Sequence, residues 1–195
     1  MAEQGHTTKL QNWLDRLRNG DREALDGLIE HACERLRLVA RKMLKGDRVG
    51  RWSETDDVLQ QAMLRLHRTL ASKQPANVRE FYAWATRAIR CELIDLARHY
   101  YGAEGRGQHH QSDDGRLAAG KPALEPTSLE AWAKFHEAVE SLPEQEREVV
   151  NLLWYEELGQ AEAADVLGIS LATLKRRWQA ARITLREKLD PMDFA

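Results

Sequence analysis

Residues 161–189 read AEAADVLGISLATLKRRWQAARITLREKL, and no other stretch of the 195-residue chain carries so specific a pattern. Ala161–Leu167 is a short alanine-rich segment with helix-forming composition. Gly168 permits a tight turn, Ile169 can plug the angle between two helices, and Ser170 is suited to cap the next one. Leu171, Leu174, Trp178, Ala181, Leu185 and Leu189 then recur at spacings of three and four, which predicts one buried stripe. Thr173, Lys175, Arg176, Arg177, Gln179, Arg182 and Arg186 fall on the outer face. A helix fits the DNA major groove, where side chains of its first turns reach base edges and arginine or lysine meets phosphate. A basic helix packed on an acidic partner lobe is the plainer alternative. The short helix, the Gly-apolar-Ser turn and the basic helix together favour DNA.

Upstream, helical periodicity continues with no alternating β-branched stretch, so the expected fold class is all-α. Trp13, Leu14 and Leu17 suggest a first helix, with a break at Asn19-Gly20-Asp21. Leu25, Leu28 and Ile29 open a second helix that runs to about Lys45-Gly46-Asp47. Ser53 and Asp56 resemble a capping box for a third, whose stripe is Leu59, Ala62 or Met63, Leu66 and Leu70 and which Pro75 ends. A fourth spans about Val78 to Tyr100. Residues 102–126, GAEGRGQHHQSDDGRLAAGKPALEP, hold five glycines, two prolines and few aliphatics, the composition of a flexible linker. The expected division is therefore a helical lobe over 1–100, a linker over 101–127, and a lobe containing the helix-turn-helix over 128–195. In the last lobe a helix over Ser128–Glu140 breaks at Ser141-Leu142-Pro143-Glu144. A second continues through Trp154, and a turn at Leu158-Gly159 follows.

The net charge of -2 conceals segregation. Residues 1–100 carry 18 basic and 14 acidic side chains, 128–170 carry 2 and 10, and 171–195 carry 6 and 3. Positive charge gathered at both ends suits a polyanionic partner. No apolar run approaches a membrane span, and MAEQGHTTKL lacks a signal-peptide core, so a cytoplasmic protein without membrane contact is expected. Cys33 and Cys91 form neither a disulfide framework nor a zinc site, and the His109-His110 pair lacks spaced partners, so no metal or cofactor is expected. No GxxxxGK[ST] loop, HExxH motif or nucleophile–base spacing occurs. His67, His99 and Asp95 read as polar face positions, so an enzyme is not expected.

The stretch over 138–189, AVESLPEQEREVVNLLWYEELGQAEAADVLGISLATLKRRWQAARITLREKL, resembles region four of the extracytoplasmic-function group of bacterial sigma factors, and LuxR-type regulators share a similar motif. ETDDVLQQAMLRLHRTL, 54–70, resembles the region-two helix of those sigma factors, and REFYAWATRAIRCELIDLARHYYG, 79–102, resembles the segment that follows it. The resemblance implies that Asp56, Asp57 and Gln60 face core RNA polymerase, with Gln61 departing from the usual acid. It places Phe81, Tyr82 and Trp84 in the segment that opens the −10 element, where an aromatic can stack on an unpaired base. Core packing competes as an explanation and is favoured for Trp84. Arg87, Arg90, Arg98 and His99 are implied phosphate contacts, and Arg98-His99 departs from the family's doubled basic residues. Ser170, Thr173, Lys175, Arg176 and Arg177 match the start of the −35 helix, with Arg182 and Arg186 as phosphate contacts.

The implied function is a non-enzymatic initiation factor that binds core RNA polymerase and promoter DNA. The rival is a two-domain helix-turn-helix regulator that never docks on polymerase. The tail before the first helix is too short for a sensor, so an outside partner is expected to exert control: an anti-sigma protein, or a kinase acting on Ser53 or Thr55. Simple capping is the preferred explanation of Ser53.

Overall fold

The computed structural model describes residues 4–21, 23–43, 52–101 and 129–189, and every regular element among them is helical. The helices are α1 (Gln4–Arg18), α2 (Glu23–Met43), α3 (Trp52–Ser72), α4 (Val78–Tyr101), α5 (Leu129–Glu140), α6 (Glu144–Val150), α7 (Gln160–Leu167) and α8 (Leu171–Lys188). A π-helical turn, Asn151–Tyr155, continues α6. The expected linker falls almost wholly on 102–128, outside the described residues, as does the expected stop of α2 at Lys45-Gly46-Asp47.

Local chemistry explains most boundaries. Helix α1 begins at Gln4, well before the apolar residues that suggested it, and buries Leu10, Leu14 and Leu17. It ends where Gly20 takes a φ of 86°, and the Asp21 carboxylate accepts from the Glu23 amide to start α2. Gly27 of α2 leaves room for the indole of Trp13, which a Cβ there would approach to 2.7 Å. Pro143 sits at the N-cap of α6 rather than inside its first turn. At the helix-turn-helix, Gly168 is left-handed (φ 64°, ψ 35°), and the Ser170 hydroxyl accepts from the Thr173 amide at 3.1 Å. The expected stripe on α8 is corrected at one end. Leu174, Ala181, Leu185 and Leu189 are buried and Trp178 packs against the core, but Leu171 is 41% exposed. It is the first residue of α8.

Helices from before and after residues 102–128 share both hydrophobic cores. One joins Leu10, Leu28, Leu66, Phe81 and Tyr82 to Val149, Leu152, Leu167 and Leu174. The other joins Val39, Ala62, Ile89 and Leu93 to Trp132, Phe135, Tyr155 and Leu185. Each fully buried large apolar side chain contributes about 1.5–3 kcal/mol relative to exposure, so the apposition has a substantial apolar basis.

The π turn shapes the seam. Its wider winding, with the Glu156 amide donating to the Asn151 carbonyl, turns Asn151, Leu152, Tyr155 and Glu156 inward together. Burial pushes the Glu156 carboxyl up to about 8 against the opposing pull of Arg35. Burial also pushes His136 down to about 3, with Arg90 adding to the effect. Its Nδ1 lies 2.6 Å from the Tyr155 hydroxyl, whose own ionisation burial suppresses.

Two predictions follow from these features. The folded chain retains a proton on Glu156 that the unfolded chain releases above about 4.5, so this contribution to stability is complete at low pH and disappears as pH rises through 8. His136 acts oppositely: its neutral form is imposed by folding, so stability is lost as pH falls from 6.5 towards 3. Between pH 6.5 and 8 the Glu156 slope dominates, worth about 1–2 kcal/mol across the window. The wild-type urea midpoint should fall there, and Glu156→Gln should flatten that decline. Gly168→Ala should lower the stability measured in urea by about 1–2 kcal/mol, because the left-handed backbone opposes a Cβ even with open space around it.

Candidate nucleic-acid interface

The carboxyl-terminal surface assembles as its local chemistry demands. The cap at Ser170 fixes where α8 begins, and the turn at Gly168 sets it across α7. Lys175, Arg176, Arg182 and Arg186 are then exposed, while Thr173 and Arg177 are half-buried. Ser170 and Leu171 are exposed at the leading end, so the helix offers hydroxyl, apolar and cationic groups together. Such a mixture can read base edges and hold phosphates. Arg176 and Arg177 also line an open groove with Glu144 and Glu146 of α6, so acidic groups flank the cationic ones.

The amino-terminal surface divides into two parts. Asp56 and Asp57 lie in the first turns of α3, but their side chains are outside the described residues, as are those of Ser53 and Thr55. Gln60 and Gln61 are exposed one turn further on, beside exposed Leu64. Arg65 of α3 pairs with Glu92 of α4 at 2.8 Å, tying this face to the next helix.

Helix α4 positions the remaining candidates unequally. Arg87 is exposed, Trp84 is half-buried against the core, and the side chain of Arg98 is outside the described residues. Phe81 and Tyr82 are 0% and 1% exposed, packed in the core that also holds Leu10, Leu28, Leu66, Val149 and Leu152. Burial raises the Tyr82 hydroxyl's pKa, and the hydroxyl lies in a polar pocket with Thr7, whose own hydroxyl donates to Glu162 of α7.

Arg90 is 2% exposed, and its partners come from α5 and the π turn. Its Nε and Nη2 reach Glu140 at 3.1 and 3.0 Å, Nη1 donates to the Asn151 side-chain oxygen at 2.5 Å, and its guanidinium lies 5.2 Å over the Tyr155 ring. About three turns earlier on α4, Arg79 binds Glu148 with two parallel hydrogen bonds of 2.7 Å. Arg35 of α2 adds a longer pair with Glu157 at 3.8 Å. None of Arg79, Glu140, Glu148 or Asn151 stood out in the sequence. Each partner is 50 or more positions from its arginine, and helical periodicity carries no information at that range.

Among the described residues no cluster of histidine, cysteine or acidic groups could hold a metal ion, and no helix is long and apolar enough to cross a membrane. Cys33 and Cys91 are free thiols, and burial raises the Cys33 pKa.

A family model described as ECF sigma factor matches residues 7–191. The chain is 26% identical over 187 residues to the ECF RNA polymerase sigma factor SigW of Bacillus subtilis, covering 90% of this chain and 94% of the relative. It is 25% identical over 194 residues to the RNA polymerase sigma-H factor of Pseudomonas aeruginosa, covering 93% and 94%. The ECF RNA polymerase sigma-E factor of Escherichia coli strain K12 is 24% identical over 191 residues, covering 92% and 93%. Among solved structures, the sigma factor RpoE in complex with the anti-sigma factor NepR from Bartonella quintana matches at 18% identity and a TM-score of 0.33, covering 80% of this chain and 91% of that one. With a helix-turn-helix carrying an outward cationic helix, and a family match that runs from residue 7 to residue 191, the chain belongs to the ECF sigma factor family.

Proposed function

We propose that this chain is a cytoplasmic, non-enzymatic sigma subunit that binds core RNA polymerase and directs it to promoters. The observation that supports this most is the pairing of a capped, outward-facing cationic helix at one end with a family match running across residues 7–191. The lobe over 1–100 docks on polymerase through Asp56, Asp57, Gln60 and Gln61 of α3, whose acidic groups complement basic partner helices. Its α4 supplies Phe81, Tyr82, Arg87, Arg90 and Arg98 for the −10 element. There aromatics trap unpaired bases and arginines hold the backbone. The residues 101–127 link this lobe to the one over 128–195, where Ser170, Thr173, Lys175, Arg176, Arg177 and Arg182 engage the −35 major groove.

Melting DNA by capturing flipped bases needs positioned pockets and phosphate contacts, not a hydrolytic centre. The partners are core RNA polymerase and promoter DNA, with an anti-sigma protein or a kinase as the regulator. A regulator that acts on duplex DNA alone is the rival. Purified chain that footprints a promoter without core enzyme, and gains nothing from it, would support that rival.

Reconstituted transcription separates the two surfaces. Asp57→Arg should abolish association with core enzyme while leaving the carboxyl-terminal helix folded. Arg176→Ala should retain core association and weaken −35 discrimination by about 1–3 kcal/mol, seen as a 5- to 150-fold loss on the cognate promoter relative to a scrambled −35. Equal retention of both activities in both variants would overturn the assignment.

A further inference from the structure

We infer that the packed arrangement is a self-occluded state: the carboxyl-terminal lobe covers the −10 face of α4 and is latched there by Arg79–Glu148 and by Arg90 with Glu140 and Asn151. The inference rests on the sigma reading of α4 given above.

Three of the five α4 residues assigned to the −10 element, Phe81, Tyr82 and Arg90, are at most 2% exposed. Phe81 lies in a core that α1–α4 share with α6, α7 and α8, Tyr82 borders a crevice closed by Glu148, Asn151, Leu152 and Leu167, and Arg90 is held by Glu140 of α5 and Asn151 of the π turn. The crevice left between Arg79, Tyr82, Glu148, Asn151 and Leu167 measures about 10 Å³, which leaves no room for a nucleobase. An unpaired base cannot stack on Tyr82 until this crevice opens.

The covering groups also satisfy the cations as nucleic acid would. Glu148 grips the Arg79 guanidinium through two parallel hydrogen bonds, the fork geometry that a phosphate also offers. Glu140 and Asn151 occupy Arg90 completely enough that the side chain is 3% exposed. The acidic segment over 128–170, with 10 acidic against 2 basic residues, thus lies on a more basic lobe and stands in for the promoter. Opening exchanges carboxylates for phosphates at the same arginines. A partner that binds only the separated lobes therefore shifts the equilibrium by its differential affinity.

The charge pairing can be reversed without touching a residue assigned to polymerase, and core affinity is read without DNA. In the full chain, Glu148→Arg places two guanidiniums together, and Arg79→Glu with Glu148→Arg restores the pair in the opposite sense. The radius of gyration of the free protein by small-angle X-ray scattering and its affinity for purified core RNA polymerase are the two measurements. Glu148→Arg should enlarge the radius by about a quarter as the lobes separate. It should also raise core affinity about tenfold, because less of the binding energy is spent on opening. The double variant should return both towards wild type. If Glu148→Arg leaves both values unchanged, or if the double variant is no closer to wild type than the single, the latch is refuted. Should Glu148→Arg fail to fold by circular dichroism, Glu140→Gln must shift both values in the same direction by a smaller amount, and no shift refutes the latch. A radius that responds as expected in a chain that never binds core enzyme keeps the latch and overturns the sigma reading instead.

Discussion

A guanidinium almost wholly withdrawn from water stands where helices from both ends of the chain meet, and much of the surrounding packing answers its needs. Arginine does not lose its proton inside a protein, so burying Arg90 requires acceptors on every accessible side. Glu140 supplies a carboxylate from the end of α5, Asn151 an amide oxygen, and Tyr155 an aromatic face. In a regular α-helix, positions 151 and 156 would diverge around the axis. Asn151 and Tyr155, four residues apart, would share a face in either winding, and the π turn adds Glu156 to that buried side. Loss of one partner would leave an uncompensated charge, a defect that typically costs about 3–5 kcal/mol.

The helices themselves were legible in the sequence because each carries its own periodic stripe and its own stop signal. Gly20, Gly168 and Ser170 act where their chemistry says they should, since a left-handed turn and a capping hydroxyl are decided within four residues. The all-α class and the helix-turn-helix follow from the same local rules. Leu171 fits the stripe by spacing but is exposed, because periodicity counts residues and ignores where a neighbouring helix ends. The π turn was invisible for a related reason: NLLWY has the composition of any buried helix, and its extra residue per turn is imposed by what packs around it. The apposition of the lobes was hidden more deeply. Core packing competed with base stacking for Phe81 and Tyr82, and Arg90 read as a phosphate contact; its burial here depends on partners 50 or more residues away.

The character of the seam explains how one set of residues can serve two arrangements. An entirely apolar junction would hold the lobes permanently, since parting it exposes hydrocarbon with nothing to replace the contact. Here the junction mixes apolar contact with Arg79, Arg90, Asn151 and the Thr7–Glu162 pair. Polar groups contribute little net stability when paired, because water or phosphate can replace each partner on opening, yet they penalise any misaligned closure. The junction is therefore specific without being irreversible.

The two latches also differ in what can release them. Arg79 is nearly half exposed, so its attraction to Glu148 is moderated by surrounding water and by salt. Arg90 is shielded, and ionic strength alone reaches it poorly. Separation accordingly begins at the rim around Arg79, where a polyanion or a competing surface can approach. Water then reaches Arg90, Asn151 and Tyr155, and their partners become exchangeable. A sequence of this kind makes opening respond to contact with a macromolecular partner more than to the salt of the medium, which is the behaviour that the proposed −10 role of α4 requires.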